Sequence, residues 1–368
     1  MSCEAGNRRD GMKTSKHPFG AVTRMAAVGI MVAVTCASAS AQRGKSALDL
    51  IKERGSLRCS AHNGSFPGFF ELDDKGQWKG FDIQFCKALA AAVLGTPDKV
   101  TFVPLSWAQR FPSLISGDVD IVFKATGWTL SRDTKQKIDF SIPYFVGGFQ
   151  LMVPASSKVK SVKELNGATV CTASGTSIEP VLADVMAADK VKFQVVTYEK
   201  SDELQGAYFS GRCDVYAGWG PALAVTRAAK VKDPASQTIL PITLTLEPIA
   251  AAMREDDKKF RTVVNWLVAA MLRAEELGIS SSNVDQIRAQ VSANPASNPS
   301  LAKFLGVQKG IGTELGLPDT WVYDVIKKVG NYGQVYDREL GSGSPYKLER
   351  GPNRLWKNGG LMFGPVFD

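Results

Sequence analysis

Between Leu57 and Phe123, and again between Phe149 and Trp219, short apolar runs of strand character alternate with stretches of helical periodicity. That doubled alternation constrains the fold more than any other feature, because strands separated by helices return in the same direction and build mainly parallel sheets. In the first stretch, a short helix over Ala47–Arg54 precedes Leu57, Cys59 and Ala61, which alternate with Arg58 and Ser60 as one strand face does. Phe81, Phe85, Leu89, Ala92 and Val93 then predict a helix with one buried face. A strand at 100–103, a helix around Arg110–Ser116 and a strand at 119–123 follow.

The pattern restarts with an extended segment at 149–153, a short helix at 162–165, and a strand at 168–172 leading into Ser174-Gly175-Thr176-Ser177 and a helix. A strand at 193–198, a helix near 203–210, a strand at 214–217 and a helix opened by Pro221 complete it, proline suiting a first helical turn. A second extended run at 248–253 predicts a crossing back, so two crossings form a hinge. Phe260, Val263, Val264, Leu267 and Met271 predict a helix over 257–277 that Gly278 stops. The expected division is lobe 1 over 42–149, lobe 2 over 150–247 and a return to lobe 1 over 248–278. Residues 279–368 hold short helical patterns at 299–305 and 322–329, too broken for a large independent domain, and read as an extension packed on the lobes. A chain of 368 residues has room for this plan.

Residues 1–41 read as a cleaved signal peptide. Arg8, Arg9, Lys13, Lys16 and Arg24 precede the apolar run 25–36 and the small residues Ala39-Ser40-Ala41. The run is shorter than the ~20 residues that span a bilayer, which disfavours a retained anchor. Export to the periplasm is the expected destination. Removing that segment takes five basic and two acidic residues from 44 and 36, leaving 39 against 34 and a net charge of +5 in place of +8. The basic residues are dispersed and not interleaved with aromatics, which argues against a nucleic-acid partner.

Four cysteines remain beyond residue 41: Cys59, Cys86, Cys171 and Cys213. An even number in an exported chain points to disulfides, with three pairings open. No CxxC pair is present and only His62 survives of the two histidines, so neither a zinc site nor another cofactor is expected.

Ligands of open α/β sheets bind beyond the carboxyl ends of strands. The loops to inspect are therefore His62 to Phe66, Lys124 to Arg132, Ser174 to Ser177, and Gly218-Trp219-Gly220. At Gly175-Thr176-Ser177, free backbone N–H groups and the helix dipole favour an anion, although the same residues also make an ordinary N-cap. Arg132 has the fork that grips a carboxylate by two parallel hydrogen bonds, and a surface ion pair is its plainer fate. Trp107 suits either a stacking wall or core packing.

Val119-Asp120-Ile121-Val122-Phe123, Trp128-Thr129-Leu130-Ser131-Arg132-Asp133 and Ile138-Asp139-Phe140-Ser141-Ile142-Pro143-Tyr144 together resemble the periplasmic amino-acid-binding proteins of ABC importers, solute-binding protein family 3. So do Gly80-Phe81-Asp82, Gly167-Ala168-Thr169-Val170 and Ser210-Gly211-Arg212-Cys213-Asp214. The resemblance covers Ser56 to about Gly278. Beyond it, Val329-Gly330-Asn331-Tyr332-Gly333, Leu355-Trp356 and Gly359-Gly360 resemble the longer general L-amino-acid-binding branch.

The resemblance implies an α/β, two-lobed type II periplasmic-binding-protein fold with two hinge crossings and a C-terminal extension. It implies a monomer that captures a small solute, an amino acid or related carboxylate, and meets a membrane permease. Arg132 should hold the solute carboxylate from lobe 1 while Thr176 and Ser177 meet it from lobe 2. Trp107 resembles the stacking wall, with Phe66 or Ser65 opposite. Cysteine placement in the branch implies Cys59–Cys86 and Cys171–Cys213 pairs.

The chain also departs from the family. Trp219 stands where an Asp usually receives the α-ammonium group, Gly127 replaces a hydroxyl residue, and Ala125 replaces the branch's Asn, while Lys124 places a positive charge at the cleft edge. A buried ammonium without a carboxylate partner is poorly compensated. These departures predict a carboxylate solute lacking a free α-amino group, stacked between Trp107 and Trp219, unless Glu179 or Glu247 substitutes for the missing acid. The rival class is an exported enzyme of the same fold, cyclohexadienyl-dehydratase-like, which needs acid/base groups in the cleft. With one histidine and no evident carboxylate pair near those loops, turnover is not expected.

Overall fold

The strand β1 (Leu57–His62) buries every residue but Arg58, as a strand covered on both faces must. The computed structural model describes residues 44–64 and 66–367. The expected signal peptide and Ser65 lie outside the described residues. A small antiparallel pair, β2 (Glu71–Leu72) with β3 (Trp78–Lys79), follows, and β4 (Val100–Leu105) runs parallel to β1 with Cys59 opposite Phe102. The strand expected at 119–123 is reduced to single bridges, Ile121 with Cys59 and Val122 with Ala252. Asp120 turns its carboxylate onto the Arg58 N–H at 2.8 Å, taking up a donor on β1.

The second sheet contains β5 (Ile138–Pro154), β6 (Thr169–Ala173), β7 (Gln194–Tyr198), β8 (Val215–Trp219), β9 (Gln237–Ile239) and β10 (Thr245–Arg254). Its order is β10-β5-β8-β6-β7, with β9 beside the far end of β5. The pairs β6–β7 and β6–β8 are parallel, whereas β5 is antiparallel to β8, β9 and β10, so the sheet is mixed. The extended segments read at 149–153 and 248–253 are parts of these longer strands. β5 and β10 pair from Ile138 opposite Arg254 to Phe149 opposite Thr245, with register shifts on either side of Ala250.

Thirteen α-helices occupy the described residues. α1 (Ala47–Arg54) starts beside the helix-capping Asp257, whose carboxylate accepts from Ser46 Oγ at 2.7 Å and the Ala47 N–H at 2.6 Å. α2 (Phe81–Leu94) was expected to bury one face; eleven of its fourteen residues are buried. The reason is the C-terminal extension, which covers the face that the sheet leaves open. After α3 (Arg110–Ser116), α4 (Leu130–Lys135), α5 (Ile178–Asp189), α6 (Ser201–Phe209), α7 (Gly220–Lys230) and the long α8 (Lys258–Glu276) come α9 (Val284–Ala293), α10 (Pro299–Phe304), α11 (Ile311–Leu315), α12 (Trp321–Lys328) and α13 (Tyr332–Glu339). α12 packs on α2 and α8, and the Tyr332 and Tyr336 rings meet Phe81 edge-on.

α9, α11 and α13 lay outside the helical patterns read from sequence. α13 nevertheless carries a local signal: Asn331 accepts from the Gln334 N–H at 2.8 Å, and the Gln334 side chain accepts from the Asn331 N–H at 3.2 Å, a reciprocal cap. Farther on, Asn353 completes the edge of β5: its Oδ1 accepts from the Val146 N–H at 2.7 Å and its Nδ2 donates to the Val146 carbonyl at 2.9 Å. The chain from Ser46 onward forms one compact unit. Within it Cys59 is bonded to Cys86, tying β1 to α2, and Cys171 to Cys213, tying β6 to the turn before β8.

Candidate functional site

Strand ends from both sheets converge on one cavity. The first sheet contributes Phe66 after β1, Trp107 and Arg110 after β4, and Ala125, Gly127 and Arg132 after the Ile121–Val122 segment. The second contributes Thr172, Ala173, Thr176 and Ser177 from the end of β6, and Gly218 and Trp219 from the end of β8. Phe149 on β5 and Glu247 and Ile249 on β10 form the side where the two long strands pass. The cavity has a volume of about 60 Å³ and opens to solvent. A shallower groove continues outward past Arg132, Ser177 and Glu247.

Arg132, on α4, is 7% exposed and donates through Nη1 to the Gly127 carbonyl at 2.8 Å. It is not the surface ion-pair arginine of the plainer reading: among the described residues no carboxylate lies within salt-bridge distance of it. Burial disfavours its charge, and Glu247 nearby favours it. Glu247 accepts from Ser177 Oγ at 3.1 Å, and burial raises its pKa against the opposing pull of Ser177, Arg132 and Arg110. The absence of a side chain at Gly127 makes this possible, since a Cβ there would stand 2.3 Å from Glu247 Oε2. Gly147 does the same for Trp219, whose indole nitrogen would lie 2.2 Å from an added Cβ.

The turn Gly175-Thr176-Ser177 does not work as an ordinary side-chain cap. Thr176 Oγ1 donates back to the Ala173 carbonyl at 2.8 Å, Ser177 is committed to Glu247, and the Gly175 N–H donates to Glu179 at 3.0 Å. Gly175 has φ of 71°, the left-handed region in which glycine is unstrained. Glu179 thus braces the turn and does not line the cavity, whereas Glu247 does. Of the two acids named as substitutes for the missing Asp, Glu247 is therefore the one at the cavity.

Of the residues singled out from sequence, Arg132, Trp107, Phe66, Ala125, Gly127, Thr176, Ser177 and Trp219 line the cavity. Lys124 does not stand at the cleft edge. It is fully buried behind Trp107, its ammonium 4.6 Å from the Trp107 ring centroid and 5.3 Å from that of Phe70. It donates to the Leu105 carbonyl at 2.9 Å, the Ala61 carbonyl at 3.2 Å and His62 Nδ1 at 2.5 Å. Three acceptors match the three donors of an ammonium, while burial, and then Arg110, lower the Lys124 pKa well below the ordinary lysine value against the opposing pull of Asp82.

Beyond Lys124, His62 Nε2 lies 2.7 Å from Ser201 Oγ at the start of α6. The spacing is that of a nucleophile and its base, but the polarity is reversed. Burial, then Lys124 and Arg110, lower the His62 pKa to about 2, so the ring is neutral, accepts at Nδ1 and donates at Nε2. A cation where catalysis wants a carboxylate makes His62 a strut rather than a base. Asp82, also behind the cavity wall, accepts from Tyr144 at 2.8 Å and from the N–H of Ala125 at 2.9 Å, fixing Ala125 at φ of 35°.

The sequence reading missed Arg110. At the first residue of α3 it is 1% exposed, reaches the Gly175 carbonyl through Nη2 at 3.3 Å, and lies over the Trp107 and Phe111 rings at 5.3 and 4.7 Å. Its Nε, Trp219 Nε1 and Thr172 Oγ1 are buried without a hydrogen-bond partner among the described residues. The rule that directs attention to strand ends would have found Arg110, since it follows β4 as Arg132 follows the next strand. Among the described residues, no group of three or more His, Cys, Asp and Glu is arranged to hold a metal ion.

Residues 57–281 match the bacterial extracellular solute-binding proteins, family 3. The chain is 38% identical over 342 residues to the general L-amino acid-binding periplasmic protein AapJ of Rhizobium johnstonii, covering 92% of this chain and 97% of that protein. It is 37% identical over 337 residues to the glutamate/glutamine/aspartate/asparagine-binding protein BztA of Rhodobacter capsulatus, covering 92% and 96%. Among solved structures, a periplasmic binding protein from Brucella ovis with glutathione bound superposes with a TM-score of 0.82 at 38% identity, covering 88% of this chain and all of that one.

Proposed function

This chain belongs to the bacterial extracellular solute-binding proteins of family 3, and on that premise we propose that it captures an α-amino acid or a related small carboxylate by closure of two lobes and presents it to the membrane permease of an ABC importer. The observation that carries the reading is Arg132, buried at the cavity wall with no carboxylate among the described residues in salt-bridge reach, facing the Thr176–Ser177 turn of the opposite sheet. A guanidinium so placed favours an incoming carboxylate. Glu247, held by Ser177, supports an α-ammonium group in the place that Trp219 leaves without an acid. The relatives, amino-acid-binding proteins and a glutathione-bound structure, agree with a small solute of that kind.

The lobes are 42–149 with 248–278, and 150–247, with 279–368 packed as an extension. The antiparallel pair β5–β10 supports the hinge: it is shared by both parts and has its register shifts at Ala250. Solute bridging the lobes shifts the population toward the closed form, which the permease reads. The protein acts in the periplasm as a monomer.

A thermal-shift panel of α-amino acids and their deaminated analogues tests this. Ligand at about 100 times its Kd stabilises by about 2.7 kcal/mol, a shift of several degrees. At least one α-amino acid is expected to produce it, and Arg132→Ala to abolish it. If no amino acid or small carboxylate raises the melting temperature, the reading fails.

A further inference from the structure

We propose that the cavity selects solutes of net charge −1, with Arg110 as a second anion anchor, so that the preferred class is an α-amino acid bearing a second acidic group. This rests on the solute-binding reading above and narrows it.

Three charged side chains line the cavity among the described residues: Arg110, Arg132 and Glu247. Two positive charges face one negative. The negative charge is not shared evenly. A Cβ at Gly127 would fall 2.3 Å from Glu247 Oε2 and 3.4 Å from Arg132 Nη1, so Glu247 and Arg132 both border the Gly127 end without forming an ion pair. Arg110 sits at the Gly175 end, 1% exposed, with a long bond to one carbonyl and, among the described residues, no carboxylate within salt-bridge distance and no partner for Nε. A buried guanidinium in that condition is costly unless an anion arrives.

The other unpartnered groups point the same way. Trp219 Nε1 is a pure donor and Thr172 Oγ1 can donate, so the cavity offers hydrogens to a solute rich in acceptors. A neutral zwitterion would satisfy Arg132 and Glu247 and leave Arg110 uncompensated. An acidic amino acid engages all three: its α-carboxylate on Arg132, its ammonium on Glu247 and its second carboxylate on Arg110. The pair of isosteres, acid and amide, differs in that last interaction alone.

Isothermal titration of the full exported chain at pH 7.5 with L-glutamate, L-aspartate, L-glutamine, L-asparagine, L-lysine and the monocarboxylate pyruvate decides the matter. At least one acid should bind on the order of 100-fold tighter than its amide. Arg110→Gln should reduce that ratio to about threefold or less, and Arg110→Lys should retain the preference for the acid. Equal affinity for acid and amide in the unmodified protein overturns the proposal and leaves amino-acid binding intact. Binding of pyruvate alone also overturns it, because the ammonium would then have no role. If nothing in the panel binds and the broader thermal-shift panel is silent, both readings fall. Should Arg110→Gln fail to fold by circular dichroism, the acid-to-amide ratio of the unmodified protein and of Arg110→Lys remains decisive.

Discussion

Asp82 gives the fold a pH dependence opposite in sign to that of an ordinary paired carboxylate. It is 1% exposed on α2, and burial raises its pKa from 3.8 to about 7 against the lowering pull of Tyr144, the Ala125 N–H and Lys124. Between those two values the folded protein holds a proton that the unfolded chain has released. Stability from this group is therefore full below about pH 4 and declines as pH rises toward and past 7. The interval is roughly three pH units, and at about 1.36 kcal/mol per unit the loss is about 4 kcal/mol.

Asp82→Asn removes the titration while keeping the contacts, because Asn Oδ1 still accepts from the Ala125 N–H and the Tyr144 hydroxyl can rotate to accept from Nδ2. Urea denaturation of both proteins at pH 4.5, 6 and 8 gives the difference in unfolding free energy. The Asn variant is expected to gain on the native protein by about 3–4 kcal/mol across that range. A flat difference, or one in which the native protein gains as pH rises, would show that Asp82 is an ionised partner of Lys124 and refute the reasoning.

Gly127→Ala should displace the Glu247 carboxylate, which lies 2.3 Å from the new methyl position, and weaken solute binding by about tenfold with little change in melting temperature, as calorimetry of both would show. Asn353→Ala unpairs the N–H and carbonyl of Val146 in the long strand β5 and should cost about 1–3 kcal/mol in chemical denaturation. Replacing Cys171 and Cys213 by Ala together removes a cross-link closing a 42-residue separation and should cost about 3–4 kcal/mol by the same measurement.

Much of the architecture was legible because it is written in short-range patterns. The helix read around Arg110–Ser116 appears there, and α8 ends before Gly278, whose φ of 68° suits the stop. The helix α2 shows where such patterns stop informing. Its apolar residues run nearly all the way round, and only packing by α12 and α13 explains why. Lys124 was misplaced for a related reason. A lysine in a strand-end loop reads as solvated, and nothing nearby in sequence announces that the Ala61 and Leu105 carbonyls, His62 and two aromatic rings surround it.

By itself the sequence determined the doubled α/β alternation, the strand-end loops that carry the cavity and the even set of four cysteines, since each depends on residues two to four positions apart or on simple parity. The tertiary structure decided which of those loops share a wall, which cysteines meet, and how the charges balance. Ser177 and Glu247 are 70 residues apart in the chain, and Arg110 and Gly175 are 65 apart. A charge acquires its energetic meaning from burial and from the partners within a few ångströms, and chain-distant segments supply both.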